Sequence, residues 1–469
     1  MHDLVLKNAR VVTPEGEEAV HIAILGEHIS ALVPHGQPLE AKETIDLSGM
    51  VVLPGMMDPH SHLGSGDERD VDGQYRSFAE DTKDAAIGGV TTIATTHVLG
   101  RDPLPEMVER AIEGGTGRSW VDFKITSVLT TYEHIDQMPE AAALGAKTFK
   151  MYCGYCFEQA EKMGMRKEGM PPDMFYLAAE QLKKIGGWGH LMIHAEEPHV
   201  RRMLAERYKK EGKEGLVCWA EHSRPWSESV QVYLYGVIAK ELDVPMYVVH
   251  TSRGHTVDLI EKLQAEGYPI ISETLVSYLG TTAQELESRG MRFQGKIQPP
   301  IRFQSDQDRL WKGIQDGVVT CMGTDTIPYT SKYKASQPFW DARPGLNIQW
   351  IDSLPLLYTH GIHGNQIDLP TLARITSENT AKRWGLYPQK GCIAVGSDAD
   401  LVVVDPEKEI ELGVDRMRGG SDYSIWEGRK AKGVPVKTFL RGQLIAADGE
   451  VIGPQGQGVY WKETRGIAD

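Results

Sequence analysis

Between roughly residues 54 and 390, short apolar runs alternate with stretches of helical periodicity, and no other feature of this chain restricts its fold so tightly. Such alternation feeds a parallel sheet, because each strand must return through a crossover long enough to hold a helix. The runs are MVVLPGMMDPH (50–60), GVTTIATT (89–96), VDFKITSVL (121–129), AKTFKMY (146–152), HLMIHAE (190–196), PMYVVHT (245–251), YPIISETL (268–275) and VVTCMGTD (318–325). Eight parallel strands close into a (β/α)8 TIM barrel. The segments DMFYLAAEQLKKIG (173–186) and HTVDLIEKLQAEG (255–267) are expected as two of its helices. After the fourth run, CFEQAEKMGMRKEGMPP (156–172) reads as a long loop, in the position of a substrate lid.

The two ends of the chain carry a different pattern. LVLKNARVV and HIAILGEHISALV near the start, and GCIAVGSDADLVVVDP (391–406) and PVKTFLRGQLIAADGEVIG (435–453) near the end, alternate apolar and polar in short pieces. That is the signature of a small antiparallel sheet. Pairing of the ends gives one β-sandwich domain from residues 1–53 plus 391–469, with the barrel, 54–390, inserted between them. Of the 469 residues, 41% are hydrophobic and 25% charged, enough apolar material for a sizeable core. A formal net charge of −15 disfavours nucleic acid or anionic membrane as partner, since both require clustered Lys and Arg. The N-terminal MHDLVLKNARVV resembles neither a signal peptide nor a membrane anchor, so a cytoplasmic location is expected. The five cysteines are sparse and odd in number, and Cys153 and Cys156, though spaced CxxC, lack a second pair and are expected to be packing residues.

Chemistry-bearing side chains gather at the ends of these runs. His60 and His62 lie two apart on one strand end, where alternate residues share a face and can reach one cation. His194 and His250 end two further strands, and Asp325 ends the last. Each has an ordinary reading: two polar strand-end residues, a hydrogen-bonded buried histidine, a helix N-cap. Their placement on one rim favours metal ligation, and imidazole serves Zn, Mn, Fe, Ni or Co. His97, His190, His222 and His255 lack the pattern and are expected to be structural or supporting. A carboxylate at Asp325 can also take a proton from a metal-bound water, whose pKa falls from about 15.7 toward about 7. Lys150 is the odd member: burial near cations would lower its pKa from near 10.4, leaving an amine that carbon dioxide can convert to an anionic carbamate.

Taken in order, LPGMMDPHSHL, TFKMYCGY, IHAEE, YVVHTS, QPPIR and MGTD resemble the cyclic amidohydrolases of the amidohydrolase superfamily, nearest the dihydropyrimidinase and hydantoinase branch. The likeness spans nearly the whole chain, including ENTAKRWGLYPQKGCIAVGSDADLVVVDP (378–406). It implies two divalent ions, zinc as first choice. His60 and His62 would hold one, His194 and His250 the other, with N6-carboxylated Lys150 bridging them and Asp325 completing the first shell. It implies hydrolysis of a ring amide by a hydroxide shared between the metals, Tyr155 donating to the oxyanion, and Asp325 carrying the proton to the leaving nitrogen. It also implies a homo-oligomer, a tetramer or dimer.

Two positions depart from that pattern. Thr326 follows Asp325 where relatives carry His, and Gln298 precedes Pro-Pro-Ile-Arg where Ser or Asn is usual; both are expected to face the substrate. Cys153 and Gly154 replace bulkier groups beside the side-chain pocket. Arg166 and Lys167 offer the lid positive charge, although solvated surface is the simpler account. The expected substrate is a dihydropyrimidine or 5-substituted hydantoin. Allantoin, dihydroorotate, a cyclic imide or a lactam are the alternatives within this chemistry, and a non-catalytic scaffold is the alternative outside it.

Overall fold

The computed structural model describes residues 1–64 and 71–462. Its centre is a parallel eight-stranded barrel: β1 (Met56–Ser61), β2 (Val90–Thr96), β3 (Asp122–Val128), β4 (Thr148–Met151), β5 (His190–Ile193), β6 (Met246–Val248), β7 (Ile270–Leu275) and β8 (Cys321–Gly323). Each of the eight expected runs supplies one strand. Side-chain alternation sorts them: Leu191 and Ile193 pack in the large cluster shared with the helices, whereas Met192 packs with Met57, Ala94, Tyr247, Ile271 and Cys321 in a separate interior cluster. The barrel closes where β8 meets β1. Asp325 N–H donates to the His60 carbonyl at 3.0 Å, His62 N–H donates to the Thr326 carbonyl at 2.9 Å, and Ser61 and Thr326 form a parallel bridge.

Helices fill the crossovers. The expected helical segments appear as Pro172–Ile185 and Gly254–Ala265, each starting one residue early and ending one or two residues early. In the first, a proline at the start needs no N–H partner, and Met174, Phe175, Ala178, Ala179 and Leu182 form a buried stripe at helical spacing.

The chain ends meet in a ten-stranded sheet, and it is mixed rather than antiparallel. His2–Lys7 runs parallel to Ala41–Asp46, and Arg10–Thr13 parallel to Val51–Pro54. Leu401–Glu411 joins the two ends by pairing antiparallel with Val51–Pro54. The first apolar run therefore serves two sheets, dividing at Gly55. A Cβ at Gly55 would lie 2.3 Å from Thr91 Oγ1, so the break is a close backbone approach. The tail departs from the expected sandwich strand: Val459–Trp461 runs beside β3, Trp461 N–H donating to the Phe123 carbonyl at 3.0 Å and its ring packing in the barrel interior cluster. Residues 463–469, also assigned to the sandwich, lie outside the described residues.

The barrel and the ten-stranded sheet are joined by ion pairing as well as packing. The buried Lys390 ammonium reaches Asp122 of β3 at 2.8 Å, Asp398 at 3.0 Å and Asp400 at 2.6 Å. Burial alone would lower its pKa; the three carboxylates outweigh that and raise it.

Candidate active site

Six side chains picked out by their strand-end positions converge at the seam. His60 and His62 leave the end of β1, Lys150 lies in β4, and His194, His250 and Asp325 follow β5, β6 and β8. All six are buried. The His60 and His62 Nε2 atoms are 3.1 Å apart, the Asp325 Oδ1 atom is 3.3 Å from the first and 2.9 Å from the second, and Lys150 Nζ is 2.9 Å from His60 Nε2. A second pair stands beside them: His194 Nδ1 and His250 Nε2 are 2.9 Å apart, and the His250 ring centre is 5.4 Å from that of His60.

The far side of each imidazole fixes its tautomer. His60 Nδ1 meets Glu273 Oε1 at 3.0 Å and His194 Nε2 meets Glu196 Oε2 at 3.1 Å, so each donates outward to a carboxylate. The opposite nitrogen is then a lone pair facing inward. His62 Nδ1 lies 3.0 Å from Thr96 Oγ1. Inward lone pairs converging within 4.8 Å of a carboxylate oxygen suit a cation, and His60, His62 and Asp325 form a group able to hold a metal ion. Burial drives the His60, His194 and His250 pKa values down, keeping the imidazoles neutral as ligation demands. At Asp325 burial pushes upward, but His60, His62 and Lys150 outweigh it and hold the carboxyl below its ordinary value. Burial brings the Lys150 amine down to about 8.

Backbone strain sits on two of these residues. His250 has φ 42° and Asp325 φ 51°, in the left-handed region that non-glycine residues rarely occupy. The His250 N–H is held by Glu273 Oε1 at 3.0 Å, and the Asp325 N–H by the seam. Asp58, inside the β1 motif, accepts from the His60 and Thr324 N–H groups and from Trp350 Nε1 at 2.6 Å, fixing both sides of the seam.

His62, Lys150, His194, His250 and Asp325 face a cavity of about 780 Å³. Tyr155 and Gln298 line it as expected, and the expected lid contributes Cys156, Glu158 and Lys162. The lid carries a short helix, Phe157–Lys162, and Arg166 does not line the cavity: it lies over the Tyr132 ring. Tyr155 stacks obliquely on His194 with ring centres 4.8 Å apart. Burial pushes its phenol upward, so it remains an O–H donor. That approach requires Gly154, since a Cβ there would fall 2.6 Å from His194 Cδ2. Gln298 Nε2 donates to Glu196, while its Oε1 has no partner.

Thr326 departs from expectation. It is fully buried in the seam, accepting from Gln349 N–H at 2.9 Å, and does not line the cavity. Cys153 and Cys156 are free and buried. His97 is satisfied by the Val98 carbonyl and the Val128 N–H, and His190 packs on Tyr247 and Trp384. His222, expected to be supporting, lines the cavity together with Trp219 and Trp340. The sequence reading did not single out Glu273, Glu196, Thr96 or Arg201; the HAE triplet at 194–196 was the one local signal.

The amidohydrolase family model matches residues 51–445. The L-hydantoinase of Paenarthrobacter aurescens is 29% identical over 468 residues, covering 98% of this chain and 98% of its own. The D-hydantoinase of Ralstonia pickettii is 29% identical over 476 residues, covering 99% of each. Among solved structures, an L-hydantoinase (dihydropyrimidinase) from Arthrobacter aurescens aligns with a TM-score of 0.89 at 26% identity, over 98% of this chain and 99% of that one. With its barrel, its strand-end histidines and a match across most of its length, the chain belongs to the amidohydrolase family.

Proposed function

We propose that the protein is a metal-dependent hydrolase that opens the amide bond of a cyclic amide or ureide, of the dihydropyrimidine or 5-substituted hydantoin type. The observation that carries this reading is the convergence of His60, His62 and Asp325 across the barrel seam, beside Lys150 and the His194–His250 pair on the cavity floor. The hydantoinase names of the relatives support the substrate class.

His60 and His62 would hold one divalent ion, His194 and His250 a second, with Lys150 carboxylated on Nζ and shared between them; zinc is the first choice of metal. When bound, the ions supply Lewis-acid polarisation of the ring carbonyl and lower the pKa of water from about 15.7 toward about 7. Asp325, held ionised, takes the proton from water and returns it to the departing ring nitrogen. Tyr155 donates its O–H to the carbonyl oxygen as negative charge develops there. Gln298, tethered to Glu196 through Nε2, presents an amide to the ring. The scaffold alternative would need no such gathering of ligands.

No helix among the described residues is long and apolar enough to cross a membrane. We assign the protein to the cytoplasm as a homo-oligomer, a dimer or tetramer. Trp226, Val230, Tyr233, Leu234 and Val237, exposed along one helix, support the second assignment, and light scattering tests it.

Metal analysis together with a panel of cyclic amides tests the central reading. The expected result is ring opening by metal-loaded protein and a deep loss of turnover in Asp325→Asn with the fold retained. A metal-loaded protein inert toward every ring overturns it.

A further inference from the structure

We infer that the ring opened here carries an anionic exocyclic group, a carboxylate or its equivalent, held by Arg201 and Arg343. This names the substrate class of the site and rests on the ring-opening reading above. A cavity of about 780 Å³ holds far more than a five- or six-membered ring, so the space beyond the strand ends is built for a substituent.

The charges around that space are not balanced. Arg202 pairs with Glu158 at 3.5 Å, and Lys209 with Asp341 at 2.9 Å and Glu206 at 3.2 Å, which accounts for the three carboxylates of the outer wall. Arg201, Lys162 and Arg343 remain. Among the described residues, Lys162 and Arg343 have no carboxylate partner. Arg201 is 5% exposed, so its charge sits where an unmatched cation is costly. Its Nη2 donates to the Gly154 carbonyl at 2.6 Å, its Nη1 is 3.9 Å from Glu196, and its Nε has no acceptor. Glu196 does not need it: Ser223, Gln298 and His194 already donate to that carboxylate, and Arg302 stands 3.8 Å away. An incoming anion would supply the acceptor that Nε lacks.

Position fits that role. The guanidinium carbon of Arg201 lies 5.5 Å from the centre of the Tyr155 ring, which in turn stacks on His194, so the cation stands one aromatic ring away from the proposed reaction centre. Arg343 comes from the segment after β8. Two buried ammonium groups anchor that segment through its carbonyls: Lys296 Nζ donates to Phe339 and Ala342, and Lys334 Nζ donates to Gly345 and, at 2.6 Å, to Lys296. The backbone that carries Arg343 is therefore fixed before any ligand arrives. Trp219 and Trp340, with ring centres 5.7 Å apart, wall the space and exclude water from the ion pair.

The test compares hydantoins with 2-carboxyethyl and 2-carbamoylethyl groups at C5, equal in shape and different in charge. Water adds to C4, the C4–N3 bond breaks, and N3 takes the proton, giving N-carbamoylglutamate from the acid and N-carbamoylglutamine from the amide. The metal-loaded wild type is expected to prefer the acid by about tenfold or more in kcat/KM, through KM. In Arg201→Gln and Arg343→Gln that preference should shrink while kinetics on the amide stay unchanged, a split that general damage to the fold would not produce. Should Arg201→Gln fail to fold, Arg343→Gln decides. Equal use of both rings, or a preference that neither variant alters, overturns the inference and leaves ring opening intact. If neither ring opens, the ring-opening reading fails separately, and calorimetry with the two carbamoyl products still scores the anion site. Tighter binding of N-carbamoylglutamate supports it, and equal binding removes it.

Discussion

A lysine with 0% exposure, 2.9 Å from a histidine nitrogen and without a carboxylate hydrogen bond is an unstable arrangement for an ammonium. Lys150→Ala is therefore expected to lose bound metal and turnover together, with partial rescue by small carboxylic acids; full metal and full turnover in that variant would remove the carbamate bridge. Tyr155→Phe keeps the ring stacked on His194 and deletes only the O–H. Its kcat should fall about 10²-fold or more with little change in metal content, and unchanged single-turnover rates would exclude the hydroxyl from the chemistry. Both residues were legible in sequence because they sit in or just after a recognisable strand. Glu273 and Glu196 were not. The first lies 213 positions from the His60 ring it supports, and no spacing rule links a carboxylate in one strand to an imidazole in another until the barrel brings them together. Thr326 misled for a related reason: adjacency to Asp325 suggested a shared outlook, but successive residues leave a strand on opposite sides.

Among elements, all eight barrel strands could be read from apolar runs, since a strand buried on both faces must be apolar throughout. The hidden feature was the division of the first run at Gly55, because Val51–Pro54 and Met56–Ser61 are equally apolar and only a close approach to Thr91 separates them. Strand direction in the terminal sheet was equally hidden, as alternation looks the same in parallel and antiparallel pairs. The connection between these elements gives a sharp prediction. Lys390→Met leaves the buried carboxylates Asp122, Asp398 and Asp400 without their shared cation and should cost about 3–5 kcal/mol. Urea unfolding at an unchanged m-value measures it; a midpoint within error of wild type would show that Arg441, which also pairs with Asp122, suffices alone.

At the scale of the molecule, the candidate ligands come from the ends of five barrel strands, two of which form the closing seam. Bound ions would then act as cross-links in the folded state, and their binding energy adds to its stability. Treatment with a chelator should lower Tm as well as abolish activity, and re-addition of a divalent ion should restore both. Loss of activity at constant Tm would place the metal outside the seam.

Alternate side chains of one strand point in opposite directions with unusual effect here: Leu401 and Val403 pack with the terminal strands, Val402 and Val404 with the barrel helices. Val52 and its neighbours Val51 and Leu53 split the same way. An engineer who excised the catalytic cylinder as a minimal enzyme would strip an apolar wall from it, and the severed fragment should aggregate rather than work.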